Sequence, residues 1–374
     1  MYSSSSKSAC GILTGSHLRQ SQKREFGQIT NADFDQKIKQ WRNEGYCVVS
    51  GLIEPRVMKQ SVEFLHRKWD TVEKCCPDFG SNGELEFPCG EIIDQVTVDE
   101  NLIGFVRKLL ATDQITLIQS DAWSKAGKEL TSETDAAPTE DSKDSKALMS
   151  GAYSEQKGAK LNNQDQRVHM DYGNNTFLHP SDWKSPETVA AIVYFHDTSK
   201  SGGGTAVAPR KGDNDELYKP PFINMPGYGQ FKFINNKTAA EEYFRESYPD
   251  VAEYRQKLYD REIIGNFKQG DVLFYRMDTW HRGTPVNEGK IRTIMSLAWR
   301  KTDCFWYNTW NPGFSKKMYY GVIEKLIKEM SPSQRGTIGI PLPGHSYWTH
   351  HSIQMFKERY PGIDVTPYTN MIKN

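Results

Sequence analysis

His169-Met170-Asp171 is the single His-x-Asp of a 374-residue chain that holds nine histidines. On an extended segment alternate side chains point the same way, so His169 and Asp171 can grip one ion together while Met170 faces elsewhere. A third ligand must then come from a distant strand. His281, in Trp280-His281-Arg282, follows the apolar run Asp271-Val272-Leu273-Phe274-Tyr275 and is suited to the task. Two imidazoles and one carboxylate on one face of a metal leave the opposite positions open. Arg292 lies a little further on, near the head of the strand-like run Ile291 to Trp299. Burying an arginine in such a strand is costly unless it meets an anion. Its planar fork suits a carboxylate.

The elements that must hold these residues can be read from periodicity. Phe34, Ile38 and Trp41 recur at helical spacing, with Gly45 as the stop. Tyr46 to Ser50 reads as a strand. Val57, Ser61, Phe64 and Leu65 suggest a second helix, and Leu102, Phe105, Val106 and Leu109 a third. Ile115 to Ile118, Val189 to Phe195 and Thr205 to Ala208 are strands, the last after the Gly202-Gly203-Gly204 turn. Short strands between Gly and Pro turns favour a sandwich or barrel over an alternating α/β fold. Helical spacing returns from about Lys316, followed by the aromatic segment Pro343 to Trp348. The expected fold is mainly β with flanking helices (α+β), a double-stranded β-helix of the jelly-roll or cupin type. Two facing sheets leave one cavity in which a metal can sit.

Two stretches depart from this pattern. Residues 1–28 are serine-rich, basic and poor in large apolar groups, and are expected to be disordered. The remaining 29–374 form a single domain. Within it, the large apolar side chains of residues 124–165 are limited to Leu130, Leu148, Met149, Tyr153 and Leu161. That stretch is expected to be a mobile polar insertion, either a lid over the site or an inert surface loop. A helical and aromatic extension occupies about 301–374.

The residues just described resemble the phytanoyl-CoA dioxygenase-like group of Fe(II)/2-oxoglutarate oxygenases. The likeness rests on His169, Asp171, His281 and the offset from His281 to Arg292. Trp41 to Ile53 resembles the family's opening helix, glycine and strand. Ser201 to Arg210 resembles its mid-barrel turn, without the usual Pro-Gly-Ser-His. The resemblance spans roughly residues 30–300. It implies Fe(II) on His169, Asp171 and His281, 2-oxoglutarate as cosubstrate with its far carboxylate on Arg292, and dioxygen as oxidant. It also implies hydroxylation of a C–H bond of a small molecule, with release of succinate and CO₂. Gly283 and Ile294 stand where hydroxyl side chains are usual, so Thr284 is the expected second partner of the cosubstrate carboxylate. The C-terminus is not a peroxisomal Ser-Lys-Leu signal, which makes phytanoyl-CoA itself a poor expectation.

Composition bounds the partners. Lys+Arg and Asp+Glu are both 47, which argues against a nucleic-acid binder relying on a broad basic surface. The six cysteines match neither a zinc-finger spacing nor an obvious disulfide framework. No run approaches a membrane span or a signal peptide, so a cytoplasmic location is the default. Oligomeric state is not legible. His350-His351 and His196-Asp197 diverge from their neighbours by adjacency and are not expected to bind metal. The aromatic cluster Cys304 to Trp310 can wall a pocket or simply pack. Other readings stay open: a cupin-type metalloprotein that does not use 2-oxoglutarate, or a non-catalytic barrel that binds a ligand. A halogenating relative is disfavoured, because it would lack the Asp171 carboxylate.

Overall fold

A computed structural model describes residues 11–13, 31–76, 83–127, 163–171, 178, 184–218, 224, 226–227, 231–304 and 322–372. Among the described residues, ten strands form two sheets. They are β1 (Gly11–Leu13), β2 (Tyr46–Ser50), β3 (Leu85–Glu86), β4 (Ile115–Ala126), β5 (Thr188–Tyr194), β6 (Thr205–Val207), β7 (Ile263–Gly265), β8 (Asp271–Tyr275), β9 (His281–Gly283) and β10 (Ile291–Lys301). The larger sheet runs β2-β8-β5-β10-β4-β3 and is antiparallel throughout. The smaller runs β1-β7-β6-β9. This is the expected jelly-roll, β-rich with helices outside.

Alternation on β10 explains how one sheet serves two environments. Met295, Leu297 and Trp299 pack on the helix side, whereas Ile294 and Ala298 face the inner cluster with Met170, Tyr275 and Trp280. Arg292 and Ser296 belong by period to that inner face. The outer face is closed by three helices, Asn31–Glu44, Pro55–Lys68 and Glu100–Leu110. Glu54 caps the second through the amides of Arg56 and Val57, and Asp99 caps the third through those of Asn101 and Leu102. Phe105, buried against Phe34 and Phe274, ties the third helix to the first and to β8. Its truncation to Ala should cost about 3–5 kcal/mol.

Gly45 ends the first helix at a φ of 86°. A Cβ there would sit 2.6 Å from Thr279 Oγ1, and Thr279 donates to Gly45 O. The glycine therefore both turns the chain into β2 and admits the loop leading to His281.

Three expectations change. Gly11–Leu13, inside the segment expected to be disordered, pairs in parallel with β7; the rest of 1–28 lies outside the described residues. The polar insertion is narrower than 124–165. Ser124, Lys125 and Ala126 belong to β4, with Lys125 buried and its ammonium donating to Gln164 O and Thr284 O. Asn163 is held by both polar groups of Val286's backbone. Residues 128–162, and with them the lid reading, lie outside the described residues. Third, two helices not expected from the sequence, Lys237–Ser247 and Pro249–Arg261, pack against the segment that carries His169 and Asp171. At the C-terminal end, Val322–Glu329 and His350–Arg359 carry the expected helical spacing. Met355 of the latter reaches the barrel's inner cluster.

Candidate metal and oxo-acid site

The segment Asn163 to Asp171 is laid along β9 by backbone pairing. His169 and His281 exchange both of their amide–carbonyl hydrogen bonds, each 2.9 Å. Residues directly opposite in an antiparallel pair present side chains on one face. The two imidazoles accordingly lie with ring centroids 4.4 Å apart. Met170 turns into the apolar cluster, as alternation requires. The segment is pinned again at Val168, whose amide donates to Tyr259 Oη at 3.0 Å and whose carbonyl accepts from Arg255 Nη2 at 3.1 Å.

His169, Asp171 and His281 converge, with one ligand atom from each lying within 4.8 Å of the others. Asp171 Oδ1 is 3.7 Å from His169 Nε2 and 3.5 Å from His281 Nε2. On both histidines Nδ1 faces a carbonyl oxygen, Arg167 O at 3.2 Å and Thr279 O at 2.9 Å. A carbonyl only accepts, so each Nδ1 carries the hydrogen and each Nε2 lone pair is free for a cation. Tyr275 donates to Asp171 Oδ2 at 2.7 Å, leaving Oδ1 toward the histidines. Burial opposes the Asp171 charge, but His281, His169 and the Tyr275 hydroxyl together hold its carboxyl well below the ordinary range. Burial, then Arg167 and His281, depress His169 strongly, which favours the neutral ligand form. For His281 burial also lowers, but Asp171 and the Thr279 carbonyl outweigh it. A divalent cation would take over the attraction that now raises it.

Arg292 is 3 % exposed. Its Nη1 donates to Gly203 O at 3.1 Å, and the guanidinium lies over the Trp123 ring, 4.7 Å from the centroid. Gly203 has a φ of 72°, and a Cβ there would stand 3.0 Å from Arg292 Cδ. Nε and Nη2, one side of the fork, have no partner among the described residues. Burial lowers this arginine to about 10, with only Tyr194 opposing. Four other buried arginines meet carboxylates. Arg210 and Arg276 share Asp278, Arg255 meets Glu241, and Arg282 meets Glu262 and Asp165. Arg292 thus offers a two-pronged carboxylate seat that the described residues do not fill.

Thr284, the expected second partner of that carboxylate, is engaged with the backbone. Its hydroxyl donates to Gly204 O at 2.6 Å. The single hydroxyl proton is thereby committed to the backbone, so Thr284 cannot also donate to a carboxylate. Its neighbour Gly283 faces Gln166, whose Oε1 accepts the Gly283 amide at 3.0 Å. His350 and His351 stand at the start of the C-terminal helix, apart from the metal cluster. His196 accepts the Thr293 amide and stacks on His66, and Asp197 caps Thr198–Ser201. Of the cluster Cys304 to Trp310, only Cys304 is among the described residues.

Sequence reasoning missed Tyr275 and Asp121. Tyr275 ends an apolar strand, where an aromatic residue reads as core. Asp121 stands on the inner face of β4, fully buried, beyond the point at which apolar spacing gives out.

No protein-family model matches this chain, and no curated protein matches it either. Solved structures with a similar chain path include the non-heme alpha ketoglutarate dependent epimerase SnoN from nogalamycin biosynthesis (TM-score 0.43, 12 % identity, 73 % of this chain and 84 % of that one). The carbocyclase SnoK of the same pathway aligns with a TM-score of 0.45 and 14 % identity over 85 % and 98 %. EctD from S. alaskensis aligns at 0.43 and 11 % over 74 % and 80 %. Likeness at this level concerns general chain path; what the site does must be argued from its side chains.

Proposed function

We propose that this protein is a non-haem Fe(II)- and 2-oxoglutarate-dependent oxygenase that oxidises a C–H bond of a small molecule. The observation that carries the reading is the side of the Arg292 guanidinium left unfilled among the described residues, in a barrel that also holds a two-histidine, one-carboxylate cluster. A metal-binding cupin of another kind has no need of a buried, unpaired arginine.

The donor set fits a divalent iron: two imidazole nitrogens and one carboxylate oxygen. When bound, the iron and the oxo-acid supply the oxidising power, consuming dioxygen and yielding succinate, CO₂ and an oxidised substrate. The chain's own share is placement. His169 and His281 present Nε2 because backbone carbonyls hold their Nδ1 hydrogens. Tyr275 orients Asp171. Arg292, anchored by Gly203 and Trp123, fixes the far carboxylate of 2-oxoglutarate. Met170, Trp280, Ile294, Ala298 and Met355 line the inner cluster and exclude water from the reacting centre. Hydroxylation is the simplest outcome of such a site.

The test is anaerobic titration of Fe(II)-loaded protein with 2-oxoglutarate, followed by admission of air and assay of succinate. Binding followed by succinate release supports the reading. Metal binding without any affinity for 2-oxoglutarate would return the protein to the wider cupin class.

A further inference from the structure

β4 carries a second charged residue into the inner face. Ala122 and Ala126 pack on the helix side, so Asp121, Trp123 and Lys125 belong to the inner face by alternation. Asp121 is opposite Ser296 on β10 and opposite Glu86 on the edge strand β3. Its Oδ1 accepts from Gln119 Nε2 at 2.8 Å. Oδ2 is buried and has no partner among the described residues. A buried carboxyl oxygen left without a partner among the described residues is costly.

Its surroundings define what would satisfy it. The charged and titratable groups felt by Asp121 and its neighbourhood are Glu86 from β3 and Tyr275 from β8. Lys125, on the same face, spends its ammonium on Gln164 O and Thr284 O. Burial, with Glu86 adding to it, pushes the Asp121 carboxyl up to about 8. The inner face thus has a cationic end at Arg292 and an acidic end at Asp121. These ends are separated along β10 by the run from Arg292 to Ser296, roughly 13 Å of strand. An oxo-diacid belongs at the Arg292 end, where the guanidinium is a cation with an unfilled fork among the described residues.

We propose that Asp121 selects the primary substrate, which is a small molecule bearing an amine whose ammonium donates to Asp121 Oδ2. Tyr275 links the two regions, since it feels the Asp121 carboxyl and donates to Asp171 Oδ2 in the candidate metal cluster. Binding is accompanied by proton release, because the empty carboxyl is largely neutral near pH 7 and becomes a carboxylate beside the ammonium. The inference takes its chemistry from the oxygenase reading, but its binding step stands separately.

The experiment is calorimetric titration of the full-length Mn(II)-loaded protein with benzylamine and n-butylamine, each against its alcohol, benzyl alcohol and n-butanol. At least one amine should bind about tenfold or more tightly than its alcohol, a usual margin for a charge-assisted hydrogen bond. Asp121→Asn, which keeps the shape, and Asp121→Leu, which removes all acceptors, should each abolish that preference while remaining folded by circular dichroism. Equal affinity of the wild type for amine and alcohol in both pairs would overturn the inference. So would an amine preference that survives in both variants. A parallel titration of the wild type with 2-oxoglutarate tests the oxygenase reading on its own. Amine preference without 2-oxoglutarate binding would remove that reading and leave the Asp121 subsite standing.

Discussion

The Tyr275 hydroxyl donates to Asp171 Oδ2 at 2.7 Å, and its ring packs on His281 with centroids 4.6 Å apart. One residue at the end of β8 therefore touches two of the three candidate metal ligands. Tyr275→Phe keeps the ring and removes the hydrogen bond. Partners of this kind typically contribute 10- to 100-fold in metal affinity. Competition titration with a chromophoric chelator should show Fe(II) or Mn(II) bound more weakly by about that factor, with a normal far-ultraviolet spectrum. Unchanged affinity would show that Asp171 is positioned by backbone alone.

Arg255 acts one step further out. It is fully buried, pairs with Glu241, and donates to Val168 O next to His169. Arg255→Met should destabilise the fold by about 3–5 kcal/mol, because Glu241 is left partly buried without its cation. Urea unfolding checks this. A loss under about 1 kcal/mol would mean that Tyr259, which also donates to Glu241, suffices.

Thr284→Val separates two roles. Its hydroxyl is spent on Gly204 O, so the substitution should cost about 0.5–1.5 kcal/mol in stability. Affinity for 2-oxoglutarate should stay within about twofold, since that hydroxyl has no proton to offer a carboxylate. A large loss of 2-oxoglutarate affinity with little change in melting temperature would restore Thr284 to the cosubstrate site.

Asp121 should leave a mark on stability. Its carboxyl is raised in the folded protein, from an ordinary value near 3.8 to about 8. Between those values the folded chain holds a proton that the unfolded chain has lost, so stability falls as pH rises across the window. Asp121→Asn removes this term. The melting temperature of the variant relative to wild type should rise from pH 4 to pH 8 and level off above it. A difference independent of pH would mean that the carboxyl is ionised throughout.

The residues that come together at the candidate site were more legible in the sequence than parts of the architecture that supports them. His169, Asp171 and His281 are rare residue types whose spacing obeys strand alternation, and Arg292 stands out because it is charged within an apolar run. The helix ending at Gly45 and the strands β5, β8 and β10 follow from periodicity. β4 was legible only through Ile118. From Gln119 on, its inner face is Gln119, Asp121, Trp123 and Lys125, while Ser120, Ala122, Ser124 and Ala126 look toward the helices. Small residues on one face and polar ones on the other erase the apolar alternation that marks a strand. The same polarity made Ser124 to Ala126 look like part of the insertion. Tyr275 and Thr284 were hidden differently, since their roles depend on which partner each hydroxyl meets across the barrel.

The central claim is that Arg292 holds the far carboxylate of 2-oxoglutarate beside the iron site. Equilibrium binding of 2-oxoglutarate to Mn(II)-loaded wild type, Arg292→Ala and Arg292→Lys measures it most directly. Losing a buried charge-assisted pair should weaken 2-oxoglutarate roughly 30- to 5000-fold in Arg292→Ala while Mn(II) affinity changes little. Arg292→Lys should recover part of the loss, because a point charge lacks the fork. Equal 2-oxoglutarate affinity in wild type and Arg292→Ala would contradict the account.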